Sequence, residues 1–350
     1  MKSVFRTLLT GAALLPLSMA ASAQDLPATD LNVVGSWSNL PLYQEFERKF
    51  WEETVPAESG GAISVNMTTF DQMGVAGADV YRMLGDGVFD VGMTVADYTV
   101  GDAPELEGLD VPLIAMDGVT ARKMVEAAKP WVAEIMRDRF NAHALAIAPY
   151  PPQIVFCNAE ISGLDDLVGK KIRGSGRMTS LFLEALGAEG ITLAFSEVPG
   201  ALERGVIDCA VTGAGSGYAS GWHESSTHLV NLPLGGWDPV GFAMNKDSWE
   251  SLDAETQTLL REQVAALEEK IWSNAAADNQ IGIDCNTGGD CPVGTALNLT
   301  LVEITPEDQR RAVELTRDVV LPRWNERCAG ECAETFAQTV APLLDTVLNQ

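Results

Sequence analysis

Along most of this chain, short runs of β-branched and apolar residues alternate with stretches whose apolar side chains recur at helical spacing. That alternation restricts the fold to the α/β class. Leu31–Val34 reads as a first strand, followed by a turn at Gly35-Ser36-Trp37-Ser38-Asn39 and a helix with Leu42, Phe46 and Phe50 on one face. Strand Ile63–Met67, helix Ala78–Leu84 and a strand emerging from Gly87–Met93 follow, then helical periodicity between Thr120 and Phe140. Ala144–Ala148 and Ile154–Cys157 are strand-like and lead towards a second lobe. There the pattern repeats: strand Lys171–Arg173, helix Met178–Leu186 stopped by Gly187, strand Ile191–Ala194, helix Val198–Arg204 stopped by Gly205, strand Val206–Thr212. Phe242–Met244 reads as a strand returning to the first lobe. Beyond it, Asp253 is placed to cap a helix with Leu259, Val264, Leu267 and Ile271 on one face, and Thr305-Pro306 opens another.

The first residues carry a different message. Lys2 and Arg6 precede an apolar run from Leu8 to Leu17, then Ala21-Ser22-Ala23 at the spacing a signal peptidase cuts. The run is too short for a bilayer core of about 30 Å. Residues 1–23 are therefore expected to be a removed export signal, and the mature chain a periplasmic protein with no direct membrane insertion. The absence of a cysteine at the cut argues against a lipid anchor. Of 350 residues, 327 remain, enough for two lobes. The net charge of −26 becomes about −28 without Lys2 and Arg6. Such a surface disfavours nucleic acid and anionic lipid, and an anionic ligand would need locally placed cations.

Six cysteines suit an oxidising compartment. Cys285 and Cys291 bracket a polar loop, and Cys328 and Cys332 bracket three residues, so each pair is a candidate local disulfide. That leaves Cys157 with Cys209. The spacing does not resemble a zinc site, and His143, His223 and His228 are scattered, as structural histidines are. No cofactor or metal is expected.

Several words then fall in a familiar order. Leu164-Asp165-Asp166-Leu167-Val168-Gly169-Lys170-Lys171-Ile172-Arg173 resembles a signature of TRAP transporter solute-binding proteins. So do Leu186-Gly187-Ala188, Phe195-Ser196-Glu197-Val198 and Ala201-Leu202-Glu203-Arg204-Gly205-Val206-Ile207-Asp208. In the first lobe, Val80–Leu84, Gly87–Gly92 and Val111-Pro112-Leu113 are similar to the family's segments. The resemblance implies a two-lobed, periplasmic-binding-protein-like fold with a ligand cleft between the lobes and long C-terminal helices bracing both. Lobe 1 would span residues 24–150 with a returning segment near 242–300, lobe 2 residues 151–240, and the bracing helices 250–350. It also implies a small carboxylate ligand, delivery to the small and large membrane subunits of a permease, and no catalysis.

Within that resemblance Arg173 is the residue expected to pair with the ligand carboxylate; its planar fork can donate two parallel hydrogen bonds and does not lose its charge. The ordinary fate of an arginine is a surface ion pair. Gln153, 20 residues earlier, stands about where sialic-acid-binding members carry a second arginine, which argues against their specificity. Arg177 offers a second charge or a solvated helix residue. Thr212 stands where many members have asparagine and would offer a hydroxyl. A branch of the family pairs cysteines at places like Cys157 and Cys209, which supports that bridge. Trp37 and Trp237 are candidates for an aromatic wall, with core packing as the alternative, and Tyr218 is a further candidate. If both tryptophans line the cleft, an aromatic or otherwise apolar acid is favoured.

The rival classes are an exported enzyme and the binding protein of an ATP-driven importer. A nucleophile elbow fails because Ala214 and Arg173 stand where Ser216 and Ser175 would need glycine. No HExxH word occurs, and Gly174-Ser175-Gly176 lacks a third glycine at dinucleotide spacing. A calcium loop at Asp284–Asp290 lacks its closing glutamate, since Thr295 stands there.

Overall fold

The computed structural model describes residues 26–234, 236–328 and 341–342. The expected signal segment and Cys332 lie outside the described residues. Two mixed sheets organise the chain. The first takes β1 (Thr29–Gly35), β2 (Ile63–Thr69), β3 (Val91–Val95) and β4 (Ala142–Ala148). The chain then crosses into a second sheet of β5 (Gln153–Cys157), β6 (Lys171–Arg173), β7 (Glu189–Ile191), β8 (Cys209–Gly213) and β9 (His228–Asn231). It returns as β10 (Val240–Asn245) and, after a long helix, adds β11 (Thr300–Glu303) to the second sheet. The strand orders are β2-β1-β3-β10-β4 and β11-β9-β5-β8-β6-β7.

Parallel pairs are β1 with β2 and β3, β6 with β7 and β8, and β9 with β11; β10 runs antiparallel between β3 and β4. The returning strand fits because Gly241 has no side chain: a Cβ there would lie 2.2 Å from the Tyr81 hydroxyl, which instead donates to the Gly241 carbonyl at 2.8 Å. β5 and β8 are buried along their whole length, as central strands covered on both faces are. Cys157 lies opposite Cys209 in their antiparallel register and is disulfide-bonded to it.

The segments that cross between sheets position the site. Pro149–Pro152 carries Tyr150, and Leu232–Pro239 carries Trp237 and Asp238. The Gln153 N–H donates to the Gly236 carbonyl at 3.0 Å, tying the crossings together. Helix Ala254–Thr287 touches both lobes. Its Trp272 indole N–H donates to the Ile147 carbonyl at 3.0 Å, and its Asn286 amide to the Ala214 carbonyl at 3.0 Å. Asp253 caps this helix by accepting the N–H groups of Glu255 and Thr256. Thr305 caps Pro306–Leu315 in the same way through the Asp308 N–H.

Three local expectations shift. β7 ends at Ile191 rather than running to Ala194, because its parallel register with β6 sets Lys171 opposite Glu189. β8 starts at Cys209, because the Val206 N–H turns back to the Ala201 carbonyl. The long helix runs through Cys285 to Thr287 and ends at Gly288 in the left-handed conformation, so Asn286 and Thr287 are helical rather than loop. The edge strand β11 carries no alternation strong enough to single it out beforehand. Cys285 bonds Cys291, and Cys328 is also disulfide-bonded.

Candidate functional site

Arg173 ends β6, and its side chain is only 3% exposed. Its Nε–H donates to the Leu193 carbonyl at 3.1 Å and an Nη1–H to the Val211 carbonyl at 2.8 Å. The early end of β7 frees Leu193 for this role. A guanidinium carries five N–H donors, so three lie beyond the two carbonyl bonds, and the Tyr98 hydroxyl is within hydrogen-bonding reach of the group. The Tyr98 hydroxyl faces the guanidinium, whose charge favours the tyrosinate, but burial dominates and holds that hydroxyl well above the usual phenol range.

The space beside Arg173 is lined by Trp37, Leu40, Tyr98, Tyr150 and Asp238 from the first lobe and the crossings. Gln153, Ser175, Phe195, Thr212 and Ser216 line it from the second. It measures about 10 Å³, room for roughly one water. A small acid therefore enters only when the walls part. Trp37 is the hub of an aromatic set, with ring centroids 5.7 Å from Tyr98, 6.0 Å from Tyr150 and 5.7 Å from Phe195. The Trp37–Phe195 contact and an Asn39–Ser220 side-chain hydrogen bond of 3.0 Å both cross the cleft.

Of the residues singled out from sequence, Arg173, Gln153, Thr212 and Trp37 come together here. Gln153 donates from its amide to the Pro151 carbonyl at 3.1 Å. Trp237 does not line the space. Its indole N–H donates to the Ala115 carbonyl at 2.7 Å and its ring packs near Trp272, so it belongs to the core and only its neighbour Asp238 reaches the site. Arg177 is exposed at the start of helix Arg177–Leu186 and does not line the space. The Tyr218 hydroxyl donates to the Thr295 carbonyl at 2.9 Å, away from Arg173. Tyr98, Tyr150, Phe195 and Asp238 escaped the sequence reading. The aromatic residues look like core, while Asp238, between Trp237 and Pro239, had a turn-like signal.

Two buried aspartates, Asp97 and Asp238, stand close to the guanidinium, and a third, Asp110, is coupled to both. Burial pushes Asp238 up to about 7 despite the opposing pull of Arg173. Burial, then the charges of Asp238 and Glu107, raise Asp97, against Arg173 and the nearby Arg177 N–H. Burial, then Asp238 and Asp97, raise Asp110. Asp97 reaches across the cleft to the start of helix Arg177–Leu186. A Cβ on Gly176 would lie 1.5 Å from its Oδ2, so close approach of the lobes requires glycine there. Deeper in the first lobe, buried Glu47 accepts the Ser36 N–H at 2.8 Å, and Tyr150 donates to the Ser36 hydroxyl at 3.3 Å; burial pushes Glu47 up to about 7.

The arrangement offers N–H donors of the kind that suit an anion. Ser175 shares a hydrogen bond with Thr179 at 3.1 Å, and no histidine lines the space. His143 stacks on Trp249 at 4.2 Å, and His228 pairs with the Thr227 hydroxyl at 2.8 Å. Among the described residues no cluster could hold a metal ion, and no helix is long and apolar enough to cross a membrane.

Comparison with known proteins agrees with this geometry. The chain is 24% identical over 233 residues to the C4-dicarboxylate-binding periplasmic protein DctP of Rhodobacter capsulatus, covering 66% of this chain and 68% of that protein. The fold matches DctP7, a Bordetella pertussis extracytoplasmic solute receptor binding pyroglutamic acid, with a TM-score of 0.77 at 20% identity, over 92% of this chain and 100% of that one. It also matches a marine metagenome TRAP solute-binding protein specific for aromatic acid ligands, in complex with 3-hydroxybenzoate. That TM-score is 0.76 at 23% identity, over 92% and 99% of the two chains. The family model described as DctP, bacterial extracellular solute-binding protein family 7, matches residues 36–316. The chain therefore belongs to the DctP family of TRAP solute-binding proteins, periplasmic receptors that bind a solute and do not transform it.

Proposed function

We propose that this receptor captures a small carboxylate in the cleft beside Arg173 and delivers it to the small and large membrane subunits of a TRAP permease. The observation that carries the reading is a buried guanidinium held by two backbone carbonyls, with N–H groups beyond those two beside a space between the lobes. Two parallel N–H groups match a carboxylate, and a buried charge of this kind calls for a partner. The three relatives named above carry carboxylates in their descriptions: a C4-dicarboxylate, pyroglutamate and 3-hydroxybenzoate.

The walls support a finer statement. Trp37, Tyr98, Tyr150 and Phe195 suit an acid with a flat or apolar body, whose faces would meet ring edges as the lobes close. Gln153 and Thr212 would add neutral hydrogen bonds, and Gln153 supplies no second cation for a dianion. The test is a thermal-shift screen of monocarboxylates, dicarboxylates and uncharged isosteres on the mature protein. A ligand that binds only the folded state raises Tm by mass action. Stabilisation by acids and not by their amides is the expected result; equal responses to both would refute the reading.

A further inference from the structure

Asp238 is 7% exposed and lines the same space as Arg173, yet its Oδ1 is buried without a hydrogen-bond partner. Buried carboxylates normally accept several. The chain holds it there: Asp238 has a left-handed backbone, φ 45°, and its own N–H donates to Asp110 Oδ1 at 2.7 Å. The ionisable groups around it are Arg173, Asp97, Asp110, Tyr98 and Tyr150. Asp110 Oδ2 also lacks a partner. One guanidinium thus faces two buried carboxyl groups, Asp97 and Asp238, with Asp110 behind them.

An acid whose only charge is its carboxylate would neutralise Arg173 and leave Asp238 with neither a counter-ion nor a donor. A ligand that carries a cation as well answers both ends of the site. We propose that the cleft selects a zwitterion: a small acid whose carboxylate sits on Arg173 and whose protonated nitrogen, ammonium or amidinium, donates to Asp238. The proposal rests on the carboxylate reading above and names the class of acid. Asp238 is then the residue that separates amino-type acids from plain ones, because a buried acceptor left unmatched costs more than a matched one returns.

Matched pairs test it on the full mature protein: L-proline against cyclopentanecarboxylate, L-pipecolate against cyclohexanecarboxylate, and 4-aminobutyrate against butyrate. Thermal shift ranks them, and calorimetry near pH 6.5 in phosphate and in imidazole buffers gives affinity and proton exchange. The nitrogen-bearing member is expected to bind at least about tenfold tighter. It should also release protons, since a cation beside Asp238 favours its ionised form. In Asp238→Asn, a residue that tolerates the left-handed backbone, that preference should vanish.

The proposal is overturned if plain acids bind as tightly as their partners, if zwitterion binding takes protons up, if no nitrogen-bearing member responds, or if Asp238→Asn keeps the preference. Arg173→Lys separates the two levels. Plain acids that bind and depend on Arg173 leave the carboxylate reading standing and refute only the zwitterion. Amines without a carboxyl group that bind regardless of Arg173 refute both.

Discussion

Replacing Arg173 by alanine tests the core of the mechanism. The guanidinium has three N–H groups beyond those bonded to the Leu193 and Val211 carbonyls, and a bidentate carboxylate takes two of them. Hydrogen bonds to charged groups contribute about 1.5–3 kcal/mol each, so removing both should weaken binding by roughly 3–6 kcal/mol, about two to four decades in Kd. Arg173→Lys keeps the charge on a single-point donor without the fork, and its loss should be about one to two decades. The alanine variant also strips the Leu193 and Val211 carbonyls of a donor. Its unfolding curve is therefore measured alongside, and affinity is compared below its Tm. The assay is isothermal titration with the tightest acid from the thermal-shift screen. An affinity within about threefold of the parent for folded Arg173→Ala would refute the assignment.

Gly176→Ala should interfere with closure, since its Cβ would lie 1.5 Å from Asp97 Oδ2. Affinity should fall by at least about tenfold, small-angle scattering should report a larger ligand-saturated particle, and the unliganded Tm should move little. Glu47 gives a stability prediction with a definite sign. Its folded pKa of about 7 lies above its ordinary value, so the native state holds a proton that the unfolded chain has lost. Stability should therefore fall as pH rises through the window from about 4.5 to about 7, by up to roughly 3 kcal/mol from this group, and level off above it. Glu47→Gln should flatten part of that slope in urea unfolding measured at several pH values; an unchanged slope would exclude Glu47 as its source. Removing the Cys157–Cys209 bridge, which closes a separation of 52 residues, should destabilise the protein by about 2–4 kcal/mol in chemical unfolding.

The α/β class, most of the strands, the helix caps at Asp253 and Thr305 and the stop at Gly187 were legible in the sequence. Each follows from local chemistry: periodicity, a side-chain oxygen before a helix, or a glycine free to adopt positive φ. Arg173 could be singled out only because the word around it resembles a known family; an arginine by itself does not announce whether it is solvated or buried. What the tertiary structure decided was which aromatic and acidic groups share its cleft. Trp37 and Trp237 look equivalent as letters, yet Trp37 joins Tyr98, Tyr150 and Phe195 around the space while Trp237 packs near Trp272. Asp238 lies 128 residues beyond Asp110 and joins Asp97 and Asp110 in one electrostatic system only because the chain crosses between two sheets and returns. Local rules of the chain set backbone conformation, whereas burial and charge coupling depend on contacts between distant segments, which exist only in the folded molecule.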